Sequence, residues 1–120
     1  MTMDRKTVGQ QAENIACQFL QEKGLIHKES NYRCKQGEID LIMMDDRTLV
    51  FIEVRYRKSS LFGTAAETID THKQHKLILT AQHYLSAKGK HHSASRFDVI
   101  SIQGSLNSDH IEWIQHAFIS

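Results

Sequence analysis

Cysteine and long apolar runs are both scarce in this 120-residue chain. Cys17 and Cys34 are the only cysteines, so no disulfide framework is indicated and we expect both thiols to be reduced. No stretch approaches the roughly 18 apolar residues that a membrane-spanning helix needs. The N-terminus, MTMDRKTVGQQ, also lacks the apolar centre of a secretory signal. These absences predict a soluble, cytoplasmic protein.

Proline is absent altogether, and the chain contains no repeat, low-complexity tract or obvious linker. A chain of this length in which 40% of the residues are hydrophobic can bury one core without a metal or a disulfide. We therefore expect residues 1–120 to form a single domain.

A large excess of one charge is also missing, since the formal net charge is only +1 at pH 7. This value argues against a histone-like protein, so any contact with nucleic acid must come from local charge. The segment from Arg55 to Lys90 does contain seven lysines and arginines against two acids. On that count alone, a solvated basic helix face explains the segment more simply than a contact with nucleic acid does.

The spacing of apolar residues predicts two helices and five strands. The first helix covers about residues 6–23 and ends at Gly24, and the second begins near Thr71 and ends at Gly89. Segments rich in β-branched and aromatic residues predict strands at about 25–33, 38–44, 48–57, 96–102 and 110–114. This order predicts a mixed α+β domain around one central sheet.

The stretch GEIDLIMMDDRTLVFIEVRYR, residues 37–57, places one carboxylate in each of two apolar strands. If Asp46 and Arg47 form a tight turn, counting outward places Asp40 directly opposite Glu53. Like charges at the ~5 Å spacing of cross-strand neighbours are destabilising, so we expect a positive group between them. Mg²⁺ or Mn²⁺ fits, because hard cations bind one or two protein carboxylates while substrate phosphates and waters complete the shell.

This interpretation depends on the strand register. A slip of one residue would turn Glu53 to the other face of the sheet, whereas a shift of two would leave the acids diagonal on one face. The acids could instead cap strand ends and form ordinary ion pairs with Arg33, Arg55 or Lys73. Geometry alone leaves both explanations open.

Two further features favour a functional site. Strand alternation places Arg55 and Arg57 on the same face as Glu53, so positive charge follows the acid. On the first predicted helix, Glu13 lies within the apolar stripe that includes Ala16, and a glutamate at a buried edge needs a partner. Taken alone, Glu13 is more typical of a helix-edge residue.

An acid on the first helix, an aspartate on a hairpin strand and Glu-x-Lys on the next strand form the pattern of the PD-(D/E)XK nuclease superfamily. Glu13, Asp40, Glu53 and Arg55 occupy the matching positions, with arginine in place of the lysine. The chain resembles more closely the YraN family of small endonuclease-like proteins, which is similar to archaeal Holliday-junction resolvases. The resemblance covers nearly the whole chain, in the blocks GQQAENIACQFLQEKG, NYRCKQGEIDLI, LVFIEVRYRKSSLFG, HKQHKLILTAQHYL and RFDVI.

The resemblance implies a restriction-endonuclease-like αβββαβ core and metal-dependent cleavage of DNA phosphodiester bonds, including branched or flapped DNA. It implies that Glu13, Asp40 and Glu53 bind Mg²⁺ or Mn²⁺ and that Arg55 contacts the phosphate. Arginine supplies charge and bidentate contacts, but its pKa above ~12 prevents it from acting as a general base. Lys73, near the start of the second helix, is another source of an ammonium group.

The candidate DNA-contacting residues are Arg33, Arg55, Arg57, Lys73 and Lys76, and the start of the second helix also favours phosphate. A homodimer would present two equivalent sites to strands of opposite polarity. Two other functions remain open. A non-catalytic nucleic-acid-binding module is compatible with arginine at position 55, and a protein-interaction domain is compatible with the near-neutral charge.

Overall fold

A computed structural model describes residues 4–57, 69–90 and 93–119 of the chain. Within these ranges the fold is mixed α+β, with two α-helices and one five-stranded sheet, as predicted. The elements in chain order are α1 (Arg5–Glu22), β1 (Ile26–Cys34), β2 (Gly37–Asp45), β3 (Thr48–Arg57), α2 (Thr71–Ala87), β4 (Ser95–Gln103), a 3₁₀ turn (Ser108–His110) and β5 (Ile111–Phe118).

The sheet has the strand order β1-β2-β3-β4-β5. All neighbouring strands are antiparallel except β3 and β4, which are parallel. Helix α2 lies between these two strands in the sequence, in agreement with the crossover connection that a parallel pair requires. This arrangement is compatible with the restriction-endonuclease-like core predicted from the sequence.

The observed bounds agree with the predicted ones to within about two residues, except for β5. This strand continues to Phe118, four residues beyond its predicted end at 114. Its pairing with β4 shifts between Phe97 and Val99, and His116 has a φ of 51°. The irregularity interrupts the alternation of apolar and polar residues from which a strand is recognised, so the sequence pattern ends early.

The central strand β3 contributes to a core on each side of the sheet. Val50 and Ile52 pack in the cluster that includes α1, whereas Leu49 and Phe51 pack in the cluster that includes α2. Because helices cover both faces, β3 is a nearly continuous apolar run, as is typical of strands buried on both sides. Glu53 ends this run and is itself buried.

Both helices begin with an aspartate cap. The Asp4 side chain accepts a hydrogen bond from Thr7 N at 2.7 Å, and Asp70 Oδ1 accepts one from Lys73 N at 2.8 Å. Gly24, with a φ of 98°, follows α1 as predicted. The second cap fixes Lys73 in the first turn of α2. In the described ranges, neither helix is both long and apolar enough to cross a membrane.

A buried charge network joins β4 to β5 and to the end of β2. Asp98 is 1% exposed and accepts hydrogen bonds from Arg96 Nε at 3.1 Å, Trp113 Nε1 at 2.9 Å and His116 N at 3.1 Å. Arg96 Nη1 also donates to Asp45 Oδ2 at 2.9 Å. Because Asp98 and the Arg96 side chain are both buried, each would be costly to leave without the other, so Asp98 helps to hold β5 against β4.

Candidate active site

Strands β2 and β3 separate where the two predicted carboxylates lie. Their backbone pairing runs in the predicted register, from Asp45 opposite Thr48 to Leu41 opposite Ile52. The next expected pair, Asp40 with Glu53, lies beyond the described ladder. Asp40 Oδ2 instead accepts a hydrogen bond from Val54 N at 2.8 Å. The two carboxyl groups adjoin, as the predicted register implies, but the backbone ladder ends one pair earlier, and a side-chain oxygen of Asp40 accepts from the Val54 amide where the strands diverge. We call this point the fork, formed by Asp40, Glu53 and Val54.

The fork brings the two carboxyl groups together in a poorly solvated position. Glu53 is 9% exposed, and burial raises its pKa from 4.5 to about 7, with the nearby charge of Asp40 as the second cause. Burial also raises the pKa of Asp40, although its hydrogen bond from Val54 N acts in the opposite direction. The site therefore holds two acids whose ionised forms are unfavourable unless a cation lies close by.

Glu13 reaches the same region from α1. Its Oε1 accepts a hydrogen bond from Asn31 Nδ2 at 2.8 Å, and the same amide nitrogen donates to Glu38 Oε1 at 3.1 Å. Burial raises the pKa of Glu13, and the charges of Asp40 and Glu38 add to the increase. Asn31 thus lies between two acids and restrains both.

The sequence pattern did not identify Asn31 as a residue of the site. It has a φ of 52° within β1, a left-handed conformation that asparagine tolerates better than most residues. A polar residue in a weakly patterned strand gives no signal of that conformation, and its contact with Glu13 spans 18 residues of chain.

Glu13, Asp40 and Glu53 line one cleft between the first turns of α1 and the fork. The cleft has a volume of about 470 Å³. Its lining residues are Arg5, Val8, Gly9, Ala12, Glu13, Asp40, Glu53, Val54 and Tyr56. The three predicted acids, distant in sequence, are thus brought to one concave surface.

Lys73 and Arg55 lie close enough to the fork to affect the pKa of Glu53. Lys73 Nζ lies 3.7 Å from Glu53 Oε2, and both Lys73 and Arg55 lower the pKa of Glu53. Arg55 Nε is buried and has no hydrogen-bond partner in the structure. A buried donor without an acceptor is costly, so the hydrogen-bonding capacity of this nitrogen is unused in this conformation. Neither side chain lines the cleft itself.

The other predicted DNA-contacting residues lie outside the cleft. Arg33 Nε is 3.3 Å from Glu38 Oε1, and its side chain is 75% exposed. Lys76 is exposed on α2. Arg57 ends β3, where its carbonyl oxygen accepts a hydrogen bond from Gly104 N at 2.8 Å.

Lys76 also borders the close contact between α2 and the start of β2. A Cβ added at Gly37 would lie 3.1 Å from Thr80 Oγ1 and 3.8 Å from Lys76 Cβ. The glycine of the GEID block therefore allows β2 to approach α2 closely. Lys58, which belongs to the basic segment between Arg55 and Lys90, lies outside the described residues.

The acids do not form a complete metal centre in this conformation. Across residues 4–57, 69–90 and 93–119, no three His, Cys, Asp or Glu side chains are grouped closely enough to hold a metal ion. The fork nevertheless offers two adjoining carboxylates, which is the protein contribution that Mg²⁺ commonly uses. Glu13, turned toward Asn31, lies on the wall of the same cleft.

Comparison with known proteins gives consistent matches over most of the chain. Residues 12–102 match the model of a family described as "Uncharacterised protein family UPF0102". A UPF0102 protein of Nitrosococcus oceani is 49% identical over 111 residues, covering 92% of this chain and 90% of that protein. A UPF0102 protein of Pseudomonas syringae is 47% identical over 118 residues, covering 97% and 96%, respectively. The matched range contains the positions of Glu13, Asp40, Glu53 and Arg55.

Proposed function

The chain belongs to the UPF0102 family, the YraN family that its motifs indicate, and on that premise we propose that it is a divalent-metal-dependent DNA endonuclease. The observation that carries the proposal is the fork, where Asp40 and Glu53 adjoin in a recessed cleft that Glu13 also lines. Three acids with raised pKa values at one concave surface are typical of a site that binds a cation or moves protons.

Mg²⁺ or Mn²⁺ fits the fork by charge and by ligand type. Asp40 and Glu53 supply hard oxygen ligands, and a cation between them would offset the repulsion that burial intensifies. Glu13 is the third proposed acid of the site. When bound, the metal supplies positive charge that polarises the phosphodiester and acidifies water.

The cations beside the fork have distinct proposed roles. Arg55, whose charge reaches the fork from outside the cleft, is assigned the stabilisation of negative charge as it develops on the phosphate. Lys73, already near Glu53, limits the repulsion between the acids and approaches the phosphate from α2. Because arginine does not act as a general base, Arg55 contributes charge and orientation only.

DNA is the proposed substrate, and branched or flapped DNA is the proposed structural class. Lys76 on α2 and Arg33 on β1 are exposed and are placed to contact phosphates farther from the fork. Arg57 is proposed to contact DNA as well. A duplex or junction enzyme of this size would act as a homodimer with two sites, and sedimentation with and without DNA measures that state.

The test is cleavage of four DNA substrates (duplex, flapped DNA, Y-shaped DNA and a four-way junction) in Mg²⁺ and in Mn²⁺. We expect the wild-type protein to produce cleavage products and Asp40→Asn and Glu53→Gln to abolish them. Glu112→Gln, an exposed carboxylate on β5, is the matched control and should retain activity. Unchanged cleavage by both fork variants would remove these acids from the site, and no cleavage by the wild type on any substrate would refute the nuclease proposal.

A non-catalytic DNA-binding module is the second candidate, and it is favoured by one observation. The position that holds lysine in the superfamily holds Arg55, a residue that cannot take up a proton from water. This candidate predicts tight, salt-sensitive binding of the same branched DNA without products in Mn²⁺. In that case, Arg55→Ala would reduce the salt dependence of binding by about one unit.

A further inference from the structure

The cleft extends beyond the carboxylates into an apolar region. Val8 and Ala12 of α1 form one wall, and Val54 and Tyr56 of β3 form the other. The volume of about 470 Å³ lies within the range of small-molecule sites, which is roughly 300–1,000 Å³. Binding a metal at the carboxylates would leave this apolar region still to be explained.

We propose that the apolar region of the cleft holds the base of one unpaired nucleotide next to the scissile phosphate. The proposal rests on the proposed function, because the carboxylates define where the phosphate lies. It specifies the substrate as DNA with an unpaired nucleotide at the cleavage site, rather than continuous duplex.

The chemistry of the walls favours a base over a duplex backbone. A continuous duplex presents charged phosphates and sugars, while its bases are stacked inside, so apolar walls would face the wrong groups. An unpaired base presents a flat, largely apolar surface without the cost of extrusion. Glu53 is also recessed, at 9% exposed, so the strand must enter the cleft to reach it.

The walls are fixed in position and carry one positive group. Tyr56 Oη donates to the Gly104 carbonyl oxygen at 2.7 Å, which orients the aromatic ring. Arg5, in the first turn of α1, is exposed where it borders the cleft and can contact the phosphate on the far side of the base. Aromatic and basic groups beside each other are typical of sites for single-stranded nucleic acid.

Gly9 provides a direct way to fill this region. A Cβ added at Gly9 meets nothing within 4 Å, so a larger side chain can project from α1 without a clash. The helix should also tolerate the change, because glycine is less favourable than leucine in a helix interior. Gly9→Leu therefore reduces the space for a base, whereas Gly9→Ala reduces it little.

The experiment measures binding of a fluorescent gapped duplex that carries either one unpaired thymidine or one abasic residue in the gap. Anisotropy is measured in Ca²⁺, which uses the same oxygen ligands. We expect the wild-type protein to bind the thymidine substrate about ten-fold more tightly. Gly9→Leu should remove this preference and leave the affinity for the abasic substrate unchanged. Gly9→Ala, and Gln11→Leu on the exposed side of α1, should retain it.

Equal binding of the two substrates by the wild type would overturn the proposal, as would a preference that survives Gly9→Leu. If circular dichroism shows that Gly9→Leu is misfolded, Val8→Phe fills the same wall and decides the question. Cleavage in Mn²⁺ is scored separately. A base preference lost in Gly9→Leu without any cleavage supports the nucleotide site and refutes the nuclease proposal, whereas cleavage without a base preference refutes the nucleotide site alone.

Discussion

Replacing Glu53 with glutamine should change how the stability of the protein depends on pH. Burial and the charge of Asp40 raise the pKa of Glu53 from 4.5 to about 7 in the folded state. Below about pH 4.5, this carboxyl is protonated in both the folded and the unfolded chain, so its raised pKa has no effect on stability. Between the two values the folded state binds the extra proton, so stability falls as the pH rises.

The size of this effect follows from the shift. At about 1.4 kcal/mol per pH unit, a rise from 4.5 to about 7 corresponds to a penalty of about 3 kcal/mol, fully present above pH 7. Glutamine at position 53 has no charge to desolvate, so the variant should avoid most of this penalty. The loss of its ion pair with Lys73 should cost little, because that side chain is 41% exposed and the contact is 3.7 Å.

The assay is urea-induced unfolding at several pH values from 4 to 8.5, without divalent metal, for wild type, Glu53→Gln and the exposed control Glu112→Gln. We expect wild type and Glu53→Gln to differ little near pH 4. At pH 8, Glu53→Gln should be more stable by up to about 3 kcal/mol, while the control should follow the wild type. If the stabilities of Glu53→Gln and wild type instead change in parallel from pH 5 to 8, Glu53 is not held in a desolvated, repulsive site.

Three further predictions concern the fork and the buried network. Mg²⁺ or Mn²⁺ at pH 8 should raise the melting temperature of the wild type but not of Asp40→Asn, and equal shifts in thermal scans would place the metal elsewhere. In cleavage assays, Arg55→Lys should retain or raise activity, whereas Arg55→Ala should lower the rate about 10²- to 10³-fold; an unchanged rate would make Arg55 structural. Asp98→Asn should lower the free energy of unfolding by about 3 kcal/mol or more, because it leaves Arg96 buried with less charge compensation. A loss below about 1 kcal/mol in urea unfolding would contradict this role.

Local features of the sequence are sufficient to predict the helices, the strands and the hairpin register. Each helix is defined by a local apolar period and by caps such as Asp70, all within a few residues of chain. The pairing of Met44 with Leu49 and Ile42 with Phe51 follows from a short turn and from alternation, because a slip of one residue would move apolar side chains out of the core.

Residue type and position likewise made Glu13, Asp40 and Glu53 candidates before their surroundings were known. A carboxylate within an apolar stripe or strand is unusual enough to be noticed without a structure, because its burial requires a partner. The sequence also placed a basic residue beside the acids, and Lys73 does approach Glu53.

The arrangement of the acids, in contrast, depends on tertiary packing. Three contacts illustrate this dependence, and each joins residues 14 or more positions apart. They are the hydrogen bonds of Asp40 with Val54, of Glu13 with Asn31 and of Asp98 with Trp113. Such contacts depend on how complete helices and strands pack against each other. The local periodicity of the sequence does not specify that packing. The hydrogen bond from Val54 N to Asp40 is the clearest example. It forms where β2 and β3 stop pairing, and that point depends on how all five strands pack in the sheet.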